Sequence, residues 1–177
     1  MRNLYVAHMS SSPTPQDTGF ETAEVERSVR IEAPLDDVWR SLTEPDELST
    51  WLGGEVDLDR PIGPGAAGRL VEDDGAVRHL LVTAHEPGRL VRWHWWRETA
   101  EGGEGELSSV EIVLTPDAGA TIVRVVEVVA RSGASAAASP GFSSADAAME
   151  AIDRRWAGAL PALAARLTGL RRATLPR

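Results

Sequence analysis

A chain of 177 residues holds one domain with a proper core and leaves little material for a second. Its hydrophobic and charged fractions, 42% and 25%, are ordinary for a globular protein, while a formal net charge of -9 argues against nucleic acid and anionic lipid surfaces as partners. Cysteine is absent and all 18 basic residues are arginine, which excludes disulfides, thiolate metal sites, cysteine nucleophiles, Schiff-base lysines and a phosphate-loop lysine.

No apolar run approaches the ~20 residues that span a bilayer, and no secretory leader is recognisable, so the expectation is a cytoplasmic protein outside the membrane. Arginine-only basicity with abundant alanine points to a GC-rich, bacterial source.

Residues 1–22 read as a disordered leader, turn-rich at Ser10-Ser11-Ser12-Pro13-Thr14-Pro15. His8-Met9-Ser10 has the look of an expression-vector scar, so the segment up to Met9 carries no functional weight. Order is expected from about Glu24, within a domain spanning 23–170. Val25, Val29 and Ile31 share the parity of a half-buried strand, and Arg27 falls on the same face.

Pro34, Asp36 and Asp37 suit a helix start, and Leu35, Val38, Trp39 and Leu42 recur at helical spacing. Pro45-Asp46-Glu47 repeats that start, Leu48, Trp51 and Leu52 give a second short apolar face, and Gly53-Gly54 ends it.

Strands are then predicted over 68–72, 77–85, 90–98, 109–115 and 121–131. Between them lie Asp73-Asp74-Gly75, Pro87-Gly88, an acidic loop over 101–106, and Asp117-Ala118-Gly119. Successive hairpins imply a meandering antiparallel sheet.

After a small, polar stretch, Ser143 or Ser144 caps a last helix. In it Met149, Ile152, Trp156, Leu160, Leu163 and Leu167 recur every three or four residues, the strongest periodic signal in the chain. Pro161 is expected to bend or interrupt this helix, and the basic end, 171–177, to fray. The class is α+β in two layers, and a curled sheet can enclose a cavity beneath the helix.

Several segments resemble the START-like (SRPBCC) superfamily, specifically domains related to the activator of the Hsp90 ATPase. They are Ile31-Glu32-Ala33-Pro34 with Val38-Trp39, Trp51-Leu52-Gly53-Gly54, Glu86-Pro87-Gly88-Arg89-Leu90-Val91 with Trp93, Val110 to Pro116 followed by Gly119-Ala120-Thr121, and Gly141-Phe142 before Trp156, Leu160 and Leu163. The resemblance implies a helix-grip fold, a curved antiparallel sheet of about six or seven strands wrapping a long C-terminal helix. It also implies a cavity for apolar or aromatic small molecules, with no cofactor, and it fixes no catalytic residues. Fold alone is a poor guide to function in such a group.

The expected cavity wall is Trp51, Leu52, His79, Leu81, Trp93, Trp95, Phe142, Met149 and Trp156, with an apolar small molecule as partner. Trp93 and Trp95 share a strand face and either wall a pocket for a flat ligand or pack on the long helix as core. Trp51, beside Gly53-Gly54, is a candidate gate.

His79 is either a polar anchor in the cavity or a surface or core histidine. Three histidines, His79, His85 and His94, fall on neighbouring strands, but His79 and His85 lie roughly 20 Å apart along one strand and cannot share a metal ion. Glu127, among Val125, Val126, Val128 and Val129, is a solvated residue, the partner of Arg27, or a general base.

Three functions stay open. One is a binder or carrier of an apolar molecule. The second is an enzyme of the polyketide cyclase or aromatase kind, using His79 or Glu127. The third is an interaction module for a chaperone or regulator. A homodimer is compatible with all three.

Overall fold

The computed structural model describes residues 20–98, 104–132 and 144–174. Within them the chain order is β1 (Phe20–Ile31), α1 (Leu35–Thr43), α2 (Pro45–Leu48), β2 (Gly54–Leu58), β3 (Ala67–Glu72), β4 (Val77–Glu86), β5 (Leu90–Glu98), β6 (Glu104–Asp117), β7 (Ala120–Ser132) and α3 (Ser144–Thr174).

One curved, wholly antiparallel sheet runs β1-β7-β6-β5-β4-β3-β2. Strands β2 to β7 are consecutive neighbours, and β1 joins the free edge of β7. This is the helix-grip architecture expected from the sequence.

Strict alternation places Leu80 and Val82 of β4, Val91, Trp93 and Trp95 of β5, Val110, Ile112 and Leu114 of β6, and Val123, Val125 and Val129 of β7 on one buried face. Helix α3 closes over that face with Ile152, Trp156, Leu160, Leu163 and Leu167, all buried. Helix α1 contributes Val38 and Leu42, and Pro34 precedes it in extended geometry.

The elements depart from expectation in four places. Strand β1 begins at Phe20, so it takes in the end of the expected leader. Strand β6 begins at Glu104, inside the expected acidic loop. Strand β2 was not anticipated, although Val56 and Leu58 point inward between the exposed Glu55 and Asp57; it is only five residues long. Its pairing with β3 depends on glycine, because a Cβ on Gly54 would lie 2.2 Å from the Val71 carbonyl oxygen and one on Gly68 2.3 Å from that of Asp57.

Helix α3 continues through Pro161 to Thr174 without interruption. Pro161 lies on the exposed side, and Ala157, whose carbonyl loses its helical donor, is exposed too, so water can take that bond.

Candidate functional site

Three rows of side chains cross the buried sheet face. One row carries Val25, Glu127, Val110 and Trp93, and the next carries Ala23, Val129, Ser108, Trp95 and Leu80. Beyond them Arg78 and Arg97 sit opposite each other on β4 and β5. Polar residues thus occupy inward positions toward one end of a sheet face that is otherwise apolar.

Glu127 is fully buried. Its Oε1 accepts from Trp95 Nε1 at 3.1 Å and its Oε2 from Trp156 Nε1 at 2.8 Å. Arg155 Nη1 donates to both oxygens at 3.3 Å. One carboxylate therefore joins β5, β7 and α3. The Trp95 and Trp156 rings stack with centroids 6.0 Å apart, and the guanidinium carbons of Arg78 and Arg155 lie 4.8 and 4.9 Å from the Trp95 centroid. Trp93, at 6.0 Å and nearly edge-on to Trp95, keeps a buried Nε1 with no acceptor among the described residues.

Arg78, itself buried, donates through Nε and Nη2 to Glu72 Oε1 at 3.3 and 3.1 Å, and Arg97 Nε donates to Glu72 Oε2 at 2.9 Å. Burial raises the Glu72 carboxyl, but the Arg97 hydrogen bond and the Arg78 charge outweigh it, so the carboxyl stays below its ordinary value. Burial, and next the Arg155 guanidinium, hold Arg78 below the usual arginine value.

These residues line an open cleft of about 360 Å³ between the sheet and the first half of α3, walled by Arg78, Arg97, Ser108, Glu127, Val129, Ala151, Ile152 and Arg155. A second recess of about 460 Å³ shares Arg97 and Arg155 and adds Trp51, Leu52, Glu72 and Ala159. A third hollow of about 300 Å³ lies apart, between Trp39, Arg60 and His85.

Residues 22–168 match the family described as polyketide cyclase / dehydrase and lipid transport. The chain belongs to that family. No curated protein matches it.

Among solved structures, protein MLL2253 from Mesorhizobium loti is 26% identical, over 88% of this chain and 100% of that one, with a TM-score of 0.64. DynU16, from the dynemicin biosynthetic locus, is 25% identical with a TM-score of 0.63; the match covers 82% of this chain and 47% of DynU16, so this chain spans about half of it. The Aha1 dimer from Colwellia psychrerythraea, 20% identical over 82% of this chain and 96% of that one at a TM-score of 0.59, shares the fold.

Within this member of the polyketide cyclase / dehydrase and lipid transport family, the residues expected to wall a cavity divide into groups. Trp51 and Leu52 line the second recess, with Trp51 pinned by its Nε1 donating to the Ser41 carbonyl at 2.9 Å. Trp93, Trp95 and Trp156 are buried and fill the space between sheet and helix. Phe142 lies outside the described residues.

His79 and Leu81 do not line the cleft: β4 alternation gives its inward positions to Arg78, Leu80 and Val82. His79 instead stacks on Trp96 at 5.5 Å, with Glu98 3.8 Å away, on the outer face. Met149 is 40% exposed, one turn before the buried stripe of α3 begins.

Arg27 pairs with Asp153 and not with Glu127. Arg78, Arg97, Ser108 and Arg155 were missed. The first three carried a readable signal, since each shares the inward parity of its strand's apolar residues, as Arg27 does on β1.

Proposed function

We propose that this protein binds and carries a small, partly apolar molecule in the cleft between β4–β7 and the first half of α3. Val129, Ala151 and Ile152 supply its aliphatic wall, and the polar side chains at the end of the sheet orient the ligand. The observation that carries this reading is a cleft of about 360 Å³ at the sheet–helix junction, within the range of roughly 300–1,000 Å³ usual for small-molecule sites. Membership of a family described by cyclase, dehydrase and lipid-transport activities supports an apolar ligand. Binding is driven by apolar ligand surface leaving water, at about 25 cal/mol per Å².

Glu127 serves this function as a fastener. Its two oxygens already accept from two indoles and a guanidinium, which occupies the lone pairs a general base would need.

Tryptophan fluorescence tests the reading, because Trp95 and Trp156 lie behind the cleft. Titration with a panel of fatty acids, flavonoids and aromatic polyketides is expected to give saturable quenching by at least one class. The variant Ala151→Trp places an indole at an exposed position of the cleft wall and is expected to abolish that quenching without loss of fold. Quenching that ignores Ala151→Trp, or a panel that leaves fluorescence unchanged, rejects the cleft as the binding site.

A further inference from the structure

The donors left over in the cleft specify one end of the ligand. Ser108 is 4% exposed, lines the cleft, and its hydroxyl has no hydrogen-bond partner among the described residues. The residue is almost wholly buried while its unpaired hydroxyl still opens to the cleft, so its place in the wall points to a ligand acceptor.

Arg155 spends only Nη1 on Glu127. Its Nε and Nη2 have no acceptor among the described residues, and both are reached by solvent. Nε and Nη2 form the side-on edge of guanidinium whose two parallel N–H bonds match a carboxylate. Arg78 likewise uses Nε and Nη2 on Glu72 and leaves Nη1 free.

The charges facing the cleft leave room for an anion. The guanidiniums of Arg78 and Arg155 are matched by the carboxylates of Glu72 and Glu127, and at the rim Arg97, 48% exposed, pairs with Asp74, 64% exposed, at 3.2 Å as well as with Glu72. No carboxylate besides Glu72 and Glu127 is paired with Arg78 or Arg155 among the described residues.

We infer that the cleft takes a carboxylic acid on a compact apolar body, its carboxylate held by the free edge of Arg155 and the hydroxyl of Ser108. This inference rests on the carrier reading above and names the class of molecule carried. The carboxylate sits toward Arg78 and Arg155, and the apolar body lies along Val129, Ala151 and Ile152. Arg78 adds long-range attraction and one further donor. The chemistry is shared by aromatic acids and short alkyl acids, and the test separates them.

Matched pairs decide it: 2-naphthoate against 2-naphthamide, and octanoate against octanamide, titrated into the full chain by calorimetry at low and high salt. At least one acid is expected to bind tenfold or more tighter than its amide at low salt, with the gap narrowing as salt rises. Preference for naphthoate or for octanoate identifies the body.

Ser108→Ala, which removes only a hydroxyl, is expected to weaken the acid several-fold and leave the thermal transition in place. Arg155→Lys keeps a positive charge beside Glu127 but loses the fork, and is expected to erase most of the acid preference. Equal affinity for acid and amide overturns the carboxylate anchor and leaves the carrier reading standing. Acid binding indifferent to both substitutions also overturns it, because the anchor then lies elsewhere. No binding by any of the four probes overturns the anchor and the carrier reading together.

Discussion

On β1, Arg27 reaches Asp153 of α3 through two hydrogen bonds of 2.8 and 2.7 Å; on β7, Glu127 meets Arg155 of the same helix at 3.3 Å. The first contact has the shorter, bidentate geometry, yet its side chains are 39% and 49% exposed. The second is looser, but Glu127 is fully buried and Arg155 is 21% exposed. Charge signs are reversed between strand and helix in the two pairs. Water screens the first, while the second is anchored by two indole N–H groups and sits at the wall of a cleft. Burial, more than hydrogen-bond length, decides which of them the fold depends on.

The largest effect is expected from breaking the buried side. Glu127→Ala leaves the indole N–H groups of Trp95 and Trp156 and the Arg155 guanidinium without their shared acceptor. Removing one partner of a buried charged pair costs about 3–5 kcal/mol. Urea denaturation is expected to show an unfolding free energy lowered by that amount, read as a lower midpoint with the m-value retained if the variant stays two-state. A loss of only a few tenths of a kcal/mol would mean the carboxylate contributes little to closing α3 on the sheet.

A smaller effect concerns acid stability. The Glu72 carboxyl lies below its ordinary value of 4.5 because Arg97 and Arg78 outweigh the opposing effect of burial. A carboxyl depressed in the folded state contributes stability that is complete above its unfolded value and is lost as pH falls through the folded one. The wild-type stability curve is therefore expected to fall as pH drops below about 4.5. Glu72→Gln is expected to flatten that acid limb, with lower stability at neutral pH. A variant whose acid limb overlays the wild type would show that other carboxylates control it.

Much of this contrast could be read from sequence, and the part that could not has a physical reason. Alternation is local, so Val91, Trp93 and Trp95 on one strand and Ile152, Trp156 and Leu163 on the last helix declared their buried faces without reference to anything distant. The same parity exposes Arg78, Arg97 and Ser108 as polar residues at inward positions, whereas choosing His79 for its chemistry ignored the parity that turns it outward. The partners of Glu127 were not legible. Whether it meets Arg27 or Arg155 depends on where α3 crosses the sheet, and that crossing is a property of the whole packed core. Cleft volume, too, is what remains after Trp95 and Trp156 have stacked, so no local pattern encodes it.

The smallest effect is expected at the exposed pair. The Arg27 hydrogen bonds hold the Asp153 carboxyl below its usual value, and the same bonds raise Arg27. Bidentate geometry alone suggests a strong contact. Both groups keep access to water, however, so each recovers solvation when the other is removed. Arg27→Ala and Asp153→Asn are each expected to leave the thermal transition within the scatter of replicate scans at physiological salt, and to separate from wild type only when salt is withdrawn. Ligand affinity in the cleft should be unaffected by either change, because neither residue lines it. A large loss of stability in either variant at physiological salt would break the comparison, since it would make α3 depend on its screened contact as much as on its buried one.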